Sequence, residues 1–484
     1  MQTRLVLPPH WRQVTDCVFE LDRLFRPGMQ VPVRLVADVP LFEEWIAEDR
    51  LNPLIDLASV RGCAAQVVGL PNLKQGEDLP SGTALAMQYP DGFLVPSAIG
   101  PDINCGFRLL TSPLNQDELV PRLSALLDEL ERTVPIGDDR GGPLGLSRQE
   151  LDELLREGSR YLVREKGIGI EEDLLTVQHE GHFHDAHADH LSASARSLGL
   201  SQLGTLGRGH SHFVELGVAE EIYDQAAASK LGLEKNRVTV LIHASARSLG
   251  ERTYQETVEQ CAQTMARRQL TSPRRGYVYA PLDSAEGLSA YHALRAAANY
   301  GWANRHVITH QVRTALKQVF SGNGAKLLTV RCDSPSNTVD LERIGDQLLC
   351  VHRHSATTAY GPGKREQVPR AYRMLGEPIV LPGSMGSSSY VALSMEGATE
   401  LSLASASHGA GRRESRRLAR KTFTADEARQ RVEERGVMVR SPTPDLREEI
   451  PEAFRDVEKM LNVLERAGIV RRVARLRPRG VLKG

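Results

Sequence analysis

Gly100-Pro101-Asp102-Ile103-Asn104-Cys105-Gly106-Phe107-Arg108-Leu109-Leu110 is the stretch around which this chain of 484 residues is organised. A carboxylate and a thiol stand three positions apart, with glycine close on either side and an apolar run starting at once. Glycine lets the backbone bend sharply, so Asp102 and Cys105 can turn toward one point. A carboxylate oxygen and a thiolate are the start of a divalent-metal site, because the ion itself keeps the sulfur deprotonated. Taken alone, Asp-x-x-Cys also describes a buried structural cysteine beside a turn-forming aspartate, since free cysteine is among the most buried residue types. Ligands arriving from elsewhere decide between the two.

The bulk composition allows a soluble enzyme and excludes several other classes. Charged residues make up 25% and apolar ones 41%, with a net charge of −1, which is an ordinary globular balance. Cysteines 17, 63, 105, 261, 332 and 350 are scattered with no CxxC pair, so neither a disulfide framework nor a zinc ribbon is indicated. No apolar run approaches the roughly 18 residues of a membrane span, and the N-terminus lacks a signal-like apolar stretch. A cytoplasmic protein with reduced thiols is expected, leaving Cys105 available as a ligand.

Along the chain, Val31–Val39 and Ala65–Leu70 read as strands, with a surface loop around Lys74–Gly82. Helices are predicted over Asp117–Arg132 and Ser147–Lys166, then over Leu288–Phe320 and Pro451–Ala467. No linker long enough to separate domains interrupts 1–484, so one domain is expected. Arg237–Ile242 is a β-branched strand that delivers His243. Leu348–Val351 delivers His352, and Leu401–Ser407 delivers His408. Gly204, Gly207 and Gly209 precede His212 and Glu215, and free the backbone to approach an anion. The small-residue stretches Pro382-Gly383-Ser384-Met385-Gly386-Ser387-Ser388-Ser389 and Gly409-Ala410-Gly411-Arg412 suit phosphate in the same way. Five histidines at 179, 182, 184, 187 and 190 interleave with acids and read as a solvated loop or helix end. His306 and His310, at i and i+4, lack a completing carboxylate and read as structural. Arginines 471, 472, 475, 477 and 479 with Lys483 form either a solvated tail or one edge of a polyanion groove.

Asp102, Cys105, His212, His243 and His352 together offer oxygen, sulfur and nitrogen donors for two divalent ions sharing the thiolate, or for one ion with spare histidines. Mn²⁺, Zn²⁺, Fe²⁺ and Co²⁺ all suit such a set. A neutral His408 between two phosphate-friendly loops could attack an α-phosphate and hold a nucleotide covalently.

These stretches resemble the RtcB family of GTP-dependent RNA ligases. The resemblance covers Asp102–Leu110, Gly204–Glu215, His243–Gly250, Asn299–Arg305, His352–Ala359, Pro382–Val391, His408–Arg416 and Arg475–Gly484, in family order. It implies an α+β fold, a single large domain with a mixed β-sheet core and surrounding helices, here monomeric. It also implies two Mn²⁺ ions on Asp102, Cys105, His212, His243 and His352, with Cys105 bridging, and His408 as the guanylylated residue. The nucleotide site so implied comprises Ser211, His212, Glu215, His352, Pro382, Gly383, Ser384, Met385, Ser389, His408, Gly409, Ala410, Gly411 and Lys483. The implied reaction joins an RNA 3′-phosphate or 2′,3′-cyclic phosphate to a 5′-hydroxyl at the expense of GTP, in RNA repair or tRNA splicing, with an archease-like activator as a candidate partner. Three stretches depart from the family pattern: Pro71-Asn72-Leu73-Lys74 stands where Pro-Asp-x-His is usual, Ser211 replaces an asparagine with one extra residue and Arg208 in its loop, and His354-Ser355 replace Lys-Gly. Loss of guanylylation would leave a metal-dependent phosphoesterase or an RNA-end-binding paralogue as the alternative.

Overall fold

The apolar run after Cys105 forms the strand Gly106–Asn115, near the middle of a sheet with fifteen strands among the described residues. The computed structural model describes residues 7–48, 51–74, 81–137, 141–207, 211–320, 328–364, 366–442 and 446–484. Gly106–Asn115 lies between Thr329–Ile344 and Arg237–Ala244. Beyond Arg237–Ala244 come Phe213–Ile222 and then Val470–Lys483. These central pairs are antiparallel, whereas Val33–Val36 with Cys63–Lys74 and Met438–Arg440 with Val470–Lys483 are parallel. The sheet is therefore mixed and the fold is α+β.

Both faces of the centre are covered, which explains why its strands are apolar at successive positions rather than at alternate ones. Leu110 and Ile242 face one cluster, together with Tyr300, Trp302, Val307 and Val312 of the helix Ala285–Val319. Leu109 and Leu241 face the other, with Val380, Val391 and Leu476. The period of two along each strand thus survives as a choice between two cores. The 35-residue helix starts at Ser284, whose hydroxyl accepts the Gly287 N–H, and it is buried on nearly all sides because other helices cover its outer face.

Several elements differ from the pattern expected of the sequence. The helix expected over 117–132 divides into Gln116–Leu119 and Leu123–Thr133, with a tight turn at Val120–Arg122; Pro121 has no N–H to continue it. The next helix breaks at Gly158, whose φ of +55° separates Arg148–Glu157 from Ser159–Arg164. Leu401 lies in the short helix Ala398–Ser402, and only Ser405–Ser407 is a strand. Near the C-terminus the helix is Val457–Arg466, and Pro451 belongs to a separate turn. The arginine-rich terminus is the strand Val470–Lys483, not a tail. Arg475 pairs with Glu220 and Glu221, Arg477 with Glu220, Arg472 with Glu465 and Arg471 with Asp224.

Candidate metal centre and nucleotide cavity

Antiparallel register assembles the centre. The strand Arg237–Ala244 ends where both of its neighbours begin, so His243 pairs with Phe107 on one side and Phe213 on the other. Cys105 and His212 stand just ahead of those two phenylalanines and meet at the same lip. Cys105 Sγ lies 2.9 Å from His243 Nε2 and 4.0 Å from His212 Nε2. His212 Nε2 is 3.5 Å from Asp102 Oδ2. His408 enters from another strand, because Ser405–Ser407 pairs with the far end of Gln347–Thr358. Its ring lies 4.5 Å from that of Phe107 and 5.7 Å from that of His243. Two donor triads result, Asp102–Cys105–His212 and Cys105–His243–His408, each with its donor atoms within 4.8 Å of one another.

The donors fit a divalent cation. Burial pushes the Cys105 thiol well above its ordinary value, with Asp102 adding to the effect, so ionisation there needs a positive charge close by. His243 places Nδ1 2.6 Å from the Ser211 carbonyl, which accepts its N–H and leaves the Nε2 lone pair toward Cys105. Such a bond through the second nitrogen is the usual support of a metal-binding imidazole.

Behind the loop, Arg305 donates to the Asn104 carbonyl at 2.7 Å, to Asn104 Oδ1 at 2.9 Å and to the Ala244 carbonyl at 2.8 Å. It also pairs with Asp333 at 2.7 Å, and Arg108 reaches the same carboxylate at 2.7 Å, all three side chains being fully buried. Gly106 is required here: a Cβ at that position would stand 2.6 Å from the Arg305 Cζ.

His352 does not join the cluster. It sits within Gln347–Thr358, three residues before Ser355, whose carbonyl accepts the His408 N–H at 3.3 Å. Its Nε2 accepts the Val95 N–H at 3.1 Å and its Nδ1 lies 3.2 Å from the Cys350 carbonyl, so backbone groups occupy both nitrogens. Burial pushes its pKa down to about 4. Donor geometry thus brings Asp102, Cys105, His212 and His243 together with His408, and leaves His352 outside.

A cavity of about 360 Å³ opens over the second triad. Ser211, Glu215, Pro382, Gly383, Ser384, Met385, Gly409, Ala410, Gly411 and Lys483 line it together with His243 and His408. Ser389 acts from behind, its hydroxyl accepting the Gly383 N–H at 3.2 Å. His212 is buried and does not line the cavity. Both ring nitrogens of His408 are shielded from solvent and have no hydrogen-bond partner among the described residues, and burial pushes its pKa down to about 3. Glu215 goes the other way, up to about 8, again by burial. Lys483 Nζ donates to the His212 carbonyl at 3.3 Å, and burial lowers its pKa. Arg208, Gly209 and His210 lie outside the described residues.

The cavity also uses residues that the sequence did not single out as site residues: Phe107, Phe213 and Phe454. Phe107 and Phe213 carried a usable signal, since each directly follows a candidate ligand segment. Asn72, noted as a departure, donates to the Ser355 carbonyl at 2.8 Å and supports the turn at Gly411. That glycine has φ +73°, and a Cβ there would stand 3.0 Å from the Asn72 Cβ. The histidine-rich stretch forms no donor triad among the described residues; His179 pairs with Asp340 at 2.9 Å and His182 faces Arg160 at 3.3 Å. His306 is held between Arg108 at 3.2 Å and the Ile168 carbonyl at 2.9 Å.

A family model described as RtcB, tRNA-splicing ligase RtcB, matches residues 53–484. The tRNA-splicing ligase RtcB of Archaeoglobus fulgidus is 36% identical over 479 residues, covering 98% of each chain. That of Pyrobaculum aerophilum is 35% identical over 480 residues, 98% of this chain and 99% of the relative. That of Thermococcus kodakarensis is 34% identical over 466 residues, 95% and 96% respectively. Aligned end to end with such relatives, and matched by the family model over most of its length, this chain belongs to the RtcB family.

Proposed function

We propose that the chain is a GTP- and Mn²⁺-dependent RNA ligase that joins a 3′-phosphate or 2′,3′-cyclic phosphate end to a 5′-hydroxyl by way of GMP carried on His408. The observation that carries this reading is the state of His408: a neutral imidazole, both nitrogens unpartnered, at the wall of a cavity lined by two small-residue loops. A neutral imidazole keeps its lone pair available at physiological pH. It can attack the α-phosphate of GTP, forming an N–P bond while the Pα–O bond to pyrophosphate breaks. The ring of Phe107 at 4.5 Å limits the orientations open to His408. Backbone N–H groups of Gly409-Ala410-Gly411 can face phosphate oxygens, whereas those of Gly383 and Ser384 are held by the Ser389 and Ser387 hydroxyls and keep the neighbouring turn in shape. Glu215 and Lys483 supply polar contacts to the nucleotide deeper in the same cavity.

A divalent cation on the Cys105 triads would screen the phosphates and polarise the phosphoryl oxygen under attack. A 2′,3′-cyclic end is first opened by water, which adds to phosphorus as the P–O2′ bond breaks and leaves a 3′-phosphate and a 2′-hydroxyl; a 3′-phosphate oxygen then takes GMP from His408, returning the lone pair to the ring, and a 5′-hydroxyl attacks the activated end with loss of GMP. RNA as the substrate rests on the name of the relatives, tRNA-splicing ligase.

The test is incubation with α-labelled GTP and Mn²⁺. Wild-type protein should acquire acid-labile, base-stable label, and His408→Ala should acquire none. Unlabelled wild-type protein, or label mapping to another residue, refutes the reading and leaves a phosphoesterase or an RNA-end binder.

A further inference from the structure

Six cations and one carboxylate occupy the ten residues Arg412–Lys421, directly after the loop that carries His408. Ser415 caps the helix Arg416–Thr422, its hydroxyl accepting the Leu418 N–H at 3.2 Å. Arg416 and Arg420, one turn apart, share the Glu448 carboxylate, and Arg412 lies 3.8 Å from Glu449. Arg413, Arg417 and Lys421 are exposed, and their side chains have no hydrogen bond or ion pair among the described residues. This arrangement works against the helix. Arg417 and Lys421 are like charges at i and i+4, and Arg416 and Arg417 stand in the first turn, where the macrodipole disfavours cations. The arginines of Val470–Lys483 are different, since Arg475 and Arg477 both face Glu220.

The place of the helix decides which anion it suits. Arg416 lines the cavity that holds His408, yet its side chain is 49% exposed, so the helix begins at the cavity's rim. Arg417 and Lys421 lie about 6 Å apart along the axis, and neither they nor Arg413 line the cavity. A nucleotide confined to the cavity does not meet them, whereas a strand of several phosphates leaving it does. We propose that Arg413, Arg417 and Lys421 form a docking surface for the sugar–phosphate backbone of single-stranded RNA whose end lies in the cavity. RNA as the occupant rests on the ligase reading above. Phosphate contacts position a strand without reading its bases, so the surface serves RNA ends of any sequence.

The test uses full-length protein carrying Arg413→Gln, Arg417→Gln and Lys421→Gln together. Binding of a fluorescent RNA of about twelve nucleotides ending in 3′-phosphate is followed against salt; each phosphate contact on a single strand contributes about 0.7 to the slope, so the triple variant should lose about two. Arg417→Gln alone should lose about 0.7, which keeps the test decisive if the triple variant melts early. Neutralising the exposed Arg23, Arg61 and Lys235, which do not line the cavity, should leave the slope unchanged. An unchanged slope in the first variant, or an equal fall in both triple variants, overturns the assignment. So does an equal loss of affinity for a dinucleotide ending in 3′-phosphate, which would place the three side chains at the cavity itself. GTP labelling of His408 involves no RNA and should proceed in the first variant as in wild type. Wild-type protein that takes no label but shows the expected slopes would sink the ligase reading and leave the docking surface standing; wild-type protein that binds no RNA overturns the surface.

Discussion

Replacing Arg305 by methionine tests whether the buried guanidinium holds the metal loop in place. The change removes donors from the Asn104 and Ala244 carbonyls, both in the buried centre, and from Asn104 Oδ1. Asp333 is not stripped, because Arg108 still reaches it at 2.7 Å. Each stranded carbonyl costs about 1–3 kcal/mol, and breaking a buried ion network by removing one partner costs about 3–5 kcal/mol in all. Unfolding entropy of about 2.1 cal/mol/K per residue gives roughly 1 kcal/mol/K for 484 residues, so melting should fall by about 3–5 °C. Asn104, held at φ +49°, would be free to relax, taking Asp102 and Cys105 with it. Mn²⁺ affinity should fall by roughly 10–100-fold, the usual effect of losing a group that supports metal ligands. Calorimetry of the metal-free protein and Mn²⁺ titration read the two effects. Arg305→Lys keeps the charge but not the fork, and should recover only part of either. A methionine variant that melts within about 1 °C of wild type and binds Mn²⁺ unchanged would refute the account.

Cys105→Ala should abolish uptake of both ions, since no other side chain can bridge the two triads, whereas His182→Ala combined with His187→Ala should leave metal content unchanged; elemental analysis reads both. Glu215 should make the metal-free protein less stable as pH rises. Its folded pKa of about 8 lies above the ordinary 4.5, so its contribution is fully present below about 4.5 and is lost on passing through about 8; Glu215→Gln should flatten that slope in denaturant titrations. Neutralising Arg475 and Arg477 should leave the salt dependence of RNA binding unchanged, because both already face Glu220. A slope reduced by about one per arginine would show that they contact phosphate after all.

Much of the centre was legible because continuous apolar runs mark where strands begin and end. Cys105, His212 and His243 each adjoin such a boundary, and antiparallel pairing brings two strand starts to one strand end. At His352 the expected strand end came too early, because the apolar run Leu348–Val351 stops beside it. The strand in fact continues to Thr358 through Arg353, which is wholly buried on Glu342. A buried ion pair removes the alternation from which strand length is read, so a mid-strand histidine passed for a terminal one. The C-terminal arginines misled similarly: Val470–Lys483 is largely buried, yet its charges are answered by carboxylates on neighbouring elements, and these pairs are invisible in sequence.

The charge count behind the loop explains why so much arginine is buried there. Arg108 and Arg305 share one carboxylate, Asp333, and His306 beside Arg108 is neutral, burial pushing its pKa down to about 3. One positive charge is left over, and Arg305 is the group nearest the active loop. Burial raises the Cys105 thiol and Arg305 opposes it, toward the thiolate that ligation needs. Burial lowers the His408 pKa and Arg305 again acts downward, toward the neutral imidazole that attack on phosphorus needs. Asp102 acts the other way on each and more strongly, so the guanidinium offsets part of the carboxylate's effect at both groups. A positive charge stabilises the deprotonated form of each, so Arg305 pushes the two groups, one an acid and the other a base, in the same sense.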